Sequence, residues 1–205
     1  MVVSRQQQKA ETRQNLMAAA ATELASGRSF DTLSLREIAK LAGIAPTSFY
    51  RHFHDMEGLG LALIEGCGES LLELMHDVRR QATSGRSLIR VSVETLFEFI
   101  LRNQGMSRMV LQESLSRESP FGDAAQQLLE TMTADLAEFL VSDAKRRGVP
   151  LAHPRLAAGS TVTILFASGI ALLNTPVDER ERHVEETVTK LRMIMHGAEE
   201  MGQGS

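Results

Sequence analysis

Apolar residues recur at helical spacing along almost the whole chain, and no stretch alternates apolar with polar between hairpin-turn residues. That pattern leaves little room for a sheet and predicts an all-α fold of about nine helices. Leu16, Ala20 and Leu24 share one face of a first helix over Lys9 to Ala25, which Ser26 and Gly27 end. Ser34-Leu35-Arg36-Glu37 spells a capping box, in which the Ser34 hydroxyl accepts from the Glu37 N–H and the Glu37 carboxylate reaches back. The second helix so begun has an inward stripe of Leu35, Ile38, Ala39 and Ala42, with Arg36 and Lys40 pointing the other way. Gly43 ends it, and Pro46 suits the first turn of a short third helix running to about Phe53. Asp55 is placed to cap a long fourth helix that carries Leu59, Leu63, Leu71, Leu74, Met75 and Val78. Further helices are expected near 87–102, 106–116, 121–147, 154–174 and 178–200, with Gly202 to Ser205 trailing off.

Composition narrows the partners. Of 205 residues 43% are apolar but only 4% aromatic, with no Trp and one Tyr, thin for a β-sandwich or a sugar-binding face. The lone Cys67 closes no intrachain disulfide and makes no zinc site, so a reducing cytoplasm is the expected home. Met1 to Thr12 is polar, so no signal peptide is expected, and the most apolar run, Val162 to Leu173, is interrupted by Thr163, Ser168 and Gly169, so no membrane span is expected. The net charge of −4 is unevenly spread. Residues 1–54 carry seven Lys/Arg against four Asp/Glu (+3), and the remaining residues carry 15 against 22 (−7). A basic head on an acidic body points to a polyanion bound by the head alone.

The head is where motif and charge coincide. LSLREIAKLAGIAPTSFYRHF, Leu33 to Phe53, reads helix, tight turn, helix, with a turn of the length a DNA-binding helix-turn-helix needs. On a wheel of about 100° per residue, Phe49 and Phe53 fall together on the core side of the third helix. Thr47, Ser48, Tyr50 and Arg51 surround the exposed side, and His52 lies on the flank. Small hydroxyls allow close approach to base edges, while Tyr and Arg reach phosphates. Ser34 and Arg36 sit where the preceding helix would meet the backbone. The expected DNA-binding set is therefore Ser34, Arg36, Thr47, Ser48, Tyr50, Arg51 and His52.

From Gly43 to Phe53, G-I-A-x-x-S-F-Y-x-H-F resembles the signature of the TetR family of transcriptional regulators, and the upstream LSLREIAKLAG is similar to it too. Within that family, REIAKLAGIAPTSFYRHFHDMEGLGL resembles the fatty-acid unsaturation regulators of the FabR/DesT type, as does Leu191-Arg192-Met193-Ile194 followed by Gly197-Ala198. The resemblance implies a cytoplasmic homodimer with two helix-turn-helix heads (residues 1–54) on a palindromic operator. A helical body (residues 55–205) would bind a ligand and dimerise. It implies phosphate contacts from Tyr50 and His52. Two positions depart from the family pattern: Ala45 stands where many members have Ser, and Met56 where many have a DNA-contacting Lys. Phosphate binding would then lean on Arg36, Arg51 and an N-terminal arm with Arg5 and Lys9 that enters the minor groove.

The body offers many apolar side chains from its helices. Met75, Phe97, Ile100, Met109, Met132, Leu136 and Phe166 are the candidate ligand lining; each is equally what an ordinary core contains. Ten methionines suit a pocket that tolerates varied shapes. No carboxylate pair or metal constellation is recognisable, so the effector is expected to be a small apolar molecule, with no cofactor and no metal. The resemblance implies long-chain acyl-CoA, saturated and unsaturated chains acting oppositely, in control of unsaturated fatty-acid synthesis, most simply as a repressor. The alternative is a TetR-type repressor of a drug-efflux or other catabolic operon answering a different apolar ligand. Arg117 or Lys145-Arg146-Arg147 would meet CoA phosphates, although the latter run also reads as a solvated helix end. A dimer seam is expected from Leu156, Gly159, Thr163, Phe166, Ala167 and Ile170 with Val184, Val188, Leu191 and Met195. Gly66-Cys67-Gly68-Glu69-Ser70 has neither P-loop nor nucleophile-elbow spacing, and no Ser/His/Asp set is recognisable, so no enzyme is expected.

Overall fold

A computed structural model describes residues 4–81, 88–114 and 119–203, and among these the ordered elements are helical without a strand. In chain order they are α1 (Arg5–Ala25), α2 (Leu35–Leu41), α3 (Pro46–Phe49), α4 (Met56–Gln81), α5 (Leu88–Arg102), α6 (Gln104–Glu113), α7 (Pro120–Arg147), α8 (Pro154–Leu172) and α9 (Arg180–Gln203). Single 3-10 turns at Phe30–Thr32 and Val177–Glu179 precede α2 and α9. The all-α expectation holds, with the last helix running on through Gln203 instead of fading at 200.

The chain forms two compact units. The first joins Met1–Glu69 with Asn103–Ala125, and the second joins Ser70–Arg102 with Gln126–Ser205. In the first, α1 packs against α2 and α6, and α2 against α3. Leu16, Ala20 and Leu24 of α1 are buried with Ile38, Ala39, Phe49 and Leu59. Phe30 meets Phe121 edge-on at 5.4 Å, and a methyl group at Gly60 would press into both rings.

Helix α1 begins earlier than its apolar spacing predicts. The Ser4 hydroxyl accepts from the Gln7 N–H at 3.1 Å, and the Gln7 side chain accepts from the Ser4 N–H at 2.9 Å, a capping box built on Gln. No apolar residue supports that first turn, which is why periodicity alone misses it. Arg5 and Lys9 are therefore helical residues on the first turns of α1, not a flexible arm.

In the second unit α8 packs on α9, and α5 on both. Val93, Leu96, Phe97 and Ile100 of α5 are buried with Ala158, Val162, Leu165 and Leu172 of α8 and Val184, Val188 and Leu191 of α9. His183 of α9 stacks on Phe97 at 5.4 Å and donates from Nε2 to the Ser168 carbonyl at 2.8 Å, tying the three helices. Arg90 reaches from α5 to Glu181 and Glu185 of α9. Val184, Val188 and Leu191 thus pack inside their own chain, which corrects the expected seam: they are not a surface for a second copy. Of the α8 positions, Leu156 (69% exposed), Thr163 and Ala167 do face outward.

Helix α8 is long and apolar enough to cross a membrane by length and composition, but half of it is buried within the protein. Its inward face, from Ala157 through Leu172, is the middle of the second unit's core. A core helix passes the same composition test as a span.

Gly105 generates a prediction. A Cβ there would overlap the Leu24 carbonyl, so α6 approaches the end of α1 closely only because this residue has no side chain. Gly105→Ala is expected to lower stability by about 1–3 kcal/mol, as overpacking against backbone does. A thermal melt unchanged from wild type would contradict the close approach.

Candidate nucleic-acid interface

The turn between α2 and α3 is closed by the backbone. Gly43 sits at φ +71°, its N–H bonds to Lys40 O at 3.1 Å, and the Ile44 N–H bonds to Ala39 O at 2.9 Å. This pair of bonds is the Schellman closure, and it needs the left-handed conformation that glycine adopts without strain. Ala45 caps α3 with no side-chain hydrogen bond, in keeping with the missing hydroxyl, and Pro46 occupies the first turn.

Regular α3 is only Pro46–Phe49, shorter than the expected run to Phe53. The chain continues as tight turns, with His52 N–H on Phe49 O at 2.8 Å and Phe53 N–H on Phe49 O at 3.1 Å. The facing predicted from the wheel survives this. Phe49 is fully buried, Phe53 nearly so, and their rings lie 5.7 Å apart. Thr47, Tyr50 and Arg51 are exposed, while Ser48 and His52 are half-buried. Tyr50, edge-on to Phe49 at 6.0 Å, is 64% exposed. Ser34 and Arg36 at the start of α2 are exposed as well.

The capping box at α2 forms by half. The Ser34 hydroxyl accepts from the Glu37 N–H at 3.3 Å, but the Glu37 carboxylate turns to Arg28 at 2.5 Å instead of returning to the cap. Arg28 also holds Glu23 at 2.7 Å and Thr32 O at 3.1 Å, so one guanidinium joins the end of α1, the 3-10 turn and α2. Glu37 is held below the usual carboxylate range, first by the Arg28 hydrogen bond. A salt bridge outcompetes the cap because a charge-assisted bond to guanidinium is stronger than one to a backbone amide.

The head's cations divide by role. Arg28 is committed internally. Arg13 of α1 donates to His52 O at 3.0 Å and lies 4.2 Å over the Phe53 ring, steadying the segment that follows α3. Sequence reading missed this positioning role, for which no local pattern exists. Arg5, Lys9, Arg36, Lys40 and Arg51 remain exposed. His52 lies among cations: burial, then Lys9, Arg13 and Arg51, hold its imidazole below the ordinary histidine range, and its Nδ1 is buried without a hydrogen-bond partner. His54 instead pairs with Asp55 at 2.8 Å, and Asp55 caps α4 through the Gly58 N–H at 2.8 Å, as expected.

Of the candidate ligand residues, Met75, Phe97, Ile100, Met132, Leu136 and Phe166 belong to the second unit and Met109 to the first. All are buried except Leu136, which is half-buried. A groove of about 430 Å³ on α8, lined by Arg155, Leu156, Gly159, Ser160, Thr163 and Ile164, includes none of them. Arg117 lies outside the described residues. Arg146 and Arg147 both pair with Asp143, and Arg147 also with Glu199 at 2.6 Å, so two of the run's three cations are paired within the chain while Lys145 is exposed. Cys67 lies within α4, where burial pushes its thiol up to about 11, away from nucleophile chemistry. Among the described residues, no three His, Cys, Asp or Glu side chains gather as a metal site.

Residues 18–63, from mid-α1 into α4, match the family model of bacterial regulatory proteins of the tetR family. Solved structures share the whole fold. A TetR-family transcriptional regulator from Pectobacterium atrosepticum matches with TM-score 0.70 at 20% identity, covering 96% of this chain and 97% of its own. FadR from Thermus thermophilus, a TetR family transcriptional repressor solved with lauroyl-CoA, matches with TM-score 0.66 at 23% identity, covering 90% and 94%. FadR from Bacillus subtilis, solved with stearoyl-CoA, matches with TM-score 0.69 at 16% identity, covering 90% and 98%. At these identities the likeness is one of fold.

Two predictions follow the geometry. Tyr50→Phe and Arg36→Ala are expected to weaken DNA binding at every sequence, Arg36→Ala also lowering the salt slope by about 1, while Thr47→Ala and Ser48→Ala shift sequence preference. Unchanged affinity and preference in all four would show that this face does not meet DNA. For His52, the depressed folded value means the unfolded chain takes up the proton first as pH falls below about 6.5, so stability is lost on acidification. The urea midpoint is expected to fall less between pH 7 and pH 5 in His52→Gln than in wild type; parallel pH profiles would contradict the depressed value.

Proposed function

We propose that this chain, a TetR-type DNA-binding transcriptional regulator, binds a palindromic operator as a homodimer and releases or tightens on it in response to long-chain acyl-CoA. The head of residues 1–54 binds DNA through Ser34, Arg36, Thr47, Ser48, Tyr50, Arg51 and His52. The observation that carries the DNA reading is the outward face of α3 and the turns after it. There Tyr50 and Arg51 stand in solvent while the adjacent Phe49 is fully buried. A large aromatic so exposed beside exposed cations suits a phosphate backbone, where the phenol donates a hydrogen bond and the guanidinium a charge-assisted one. A regulator of this class performs no catalysis, and it acts in the cytoplasm where its DNA lies.

The body of residues 55–205 takes the effector, with Met75, Phe97, Ile100, Met132, Leu136 and Phe166 of the second unit as the proposed apolar lining. The acyl-CoA reading is supported by the FadR neighbours solved with lauroyl-CoA and stearoyl-CoA, and by the resemblance of the head to fatty-acid unsaturation regulators of the FabR/DesT type. Control of unsaturated fatty-acid synthesis, by repression, is the role proposed. Switching requires that the effector bind the DNA-competent and DNA-incompetent states with different affinity.

The test is fluorescence anisotropy of a labelled duplex from the region upstream of this gene, titrated alone and with palmitoyl-CoA or oleoyl-CoA. Opposite shifts of the two curves are expected. DNA binding indifferent to both thioesters would overturn the lipid reading and leave the regulator of an efflux or other catabolic operon. Failure to bind any duplex from a random pool at low salt would overturn the DNA reading.

A further inference from the structure

Within the second unit, a charged cluster continues the stripe that carries part of the proposed apolar lining. On α4, Met75 is followed one turn later by Arg79, and on α7, Met132 is followed by Asp135, Leu136 and Phe139 at successive helical spacings. The Arg79 guanidinium donates from Nη1 to Asp135 Oδ2 at 2.6 Å and lies 5.0 Å over the Phe139 ring. The other Asp135 oxygen, Oδ1, meets His76 Nε2 at 2.6 Å. Arg79 is only 15% exposed and Asp135 24%, whereas His76 is 51% exposed.

This arrangement has an uneven energetic footing. Withdrawing a guanidinium and a carboxylate from water is costly for each ion, and apolar residues of similar size often serve stability as well. A flat guanidinium on a ring face, at the end of a methionine-lined stripe, is suited to a planar anion carried by an apolar molecule, because carboxylate and phosphate match its donor fork in the same way. Asp135 already makes that match from within the chain. It also has a second partner on its solvent side, His76, with which the carboxylate can remain when the guanidinium changes hands.

Building on the reading that the body binds an apolar effector, we propose that Arg79 is the anchor for the anionic group of that effector, and that Asp135 is an internal stand-in which the effector displaces. The exchange conserves charge at Arg79, one anion replacing another, and leaves Asp135 at the surface beside His76. The tie between α4 and α7 is released as the effector seats. An amphiphile with a carboxylate and one with a phosphate head satisfy the same chemistry, so the probes separate them.

The full chain is titrated calorimetrically with oleate, oleoyl-CoA and the uncharged oleyl alcohol, as wild type and as Asp135→Asn, Arg79→Gln and Arg79→Lys. Asp135→Asn is expected to tighten the charged ligands about tenfold and Arg79→Gln to weaken them about tenfold, Arg79→Lys falling between because it keeps charge without the fork. Oleyl alcohol should bind all four proteins alike, which also shows that the variants are folded. Loss confined to oleate identifies a carboxylate ligand, and loss confined to oleoyl-CoA a phosphate; either supports the anchor. Charged ligands indifferent to Arg79→Gln overturn the anchor and leave the effector reading standing. An Asp135→Asn protein that binds them no better than wild type overturns the displacement. Wild type that binds none of the three overturns both readings.

Discussion

Burial of Phe49 is the constraint on which the head depends. A helix of four residues has no stability of its own, since its hydrogen bonds do not offset the cost of nucleation. What holds Pro46–Phe49 in place is the wholly buried Phe49 ring, backed by Phe53, whose own ring the Arg13 guanidinium covers. Removing such a ring typically costs about 3–5 kcal/mol. Once Phe49 and Phe53 are inside, the intervening Tyr50 and Arg51 have nowhere to go but outward. The exposure of Tyr50 and Arg51 is thus a consequence of core packing.

Charge in the head is sorted by the same logic. Arg28, with two carboxylates and a carbonyl around it, is a joint between three elements and offers no free donor field to a phosphate. Arg13 spends its guanidinium on a backbone carbonyl and a ring face. Glu23 and Glu37 are both engaged by Arg28, while Arg5, Lys9, Arg36, Lys40 and Arg51 are exposed. In the second unit Arg90, Arg146, Arg147 and Arg155 are paired with carboxylates, while Lys145, Lys190 and Arg192 are exposed.

Helix existence was readable wherever a local rule applied. Asp55 capping α4, Gly43 reversing the chain and Pro46 starting α3 each act within a few residues, and each is where the pattern places it. The pattern erred where a distant group competed. Glu37 left its capping box for Arg28, nine residues away in sequence, and Arg13 found His52 from 39 residues off. The α9 stripe Val184, Val188 and Leu191 was legible as apolar, but its partner was not, because periodicity says that a face is buried without saying against what.

The sequence alone determines an all-helical chain with a basic helix-turn-helix head and an acidic helical body. Those properties follow from local spacing, caps and charge count, which act within a turn or two of the chain. Only tertiary structure decided which of the head's cations remain exposed, which apolar faces close within the chain, and that Arg79, Asp135 and His76 meet across 59 residues. Such choices are competitions between partners for one group. Their outcome depends on distances in space that no local rule of sequence contains.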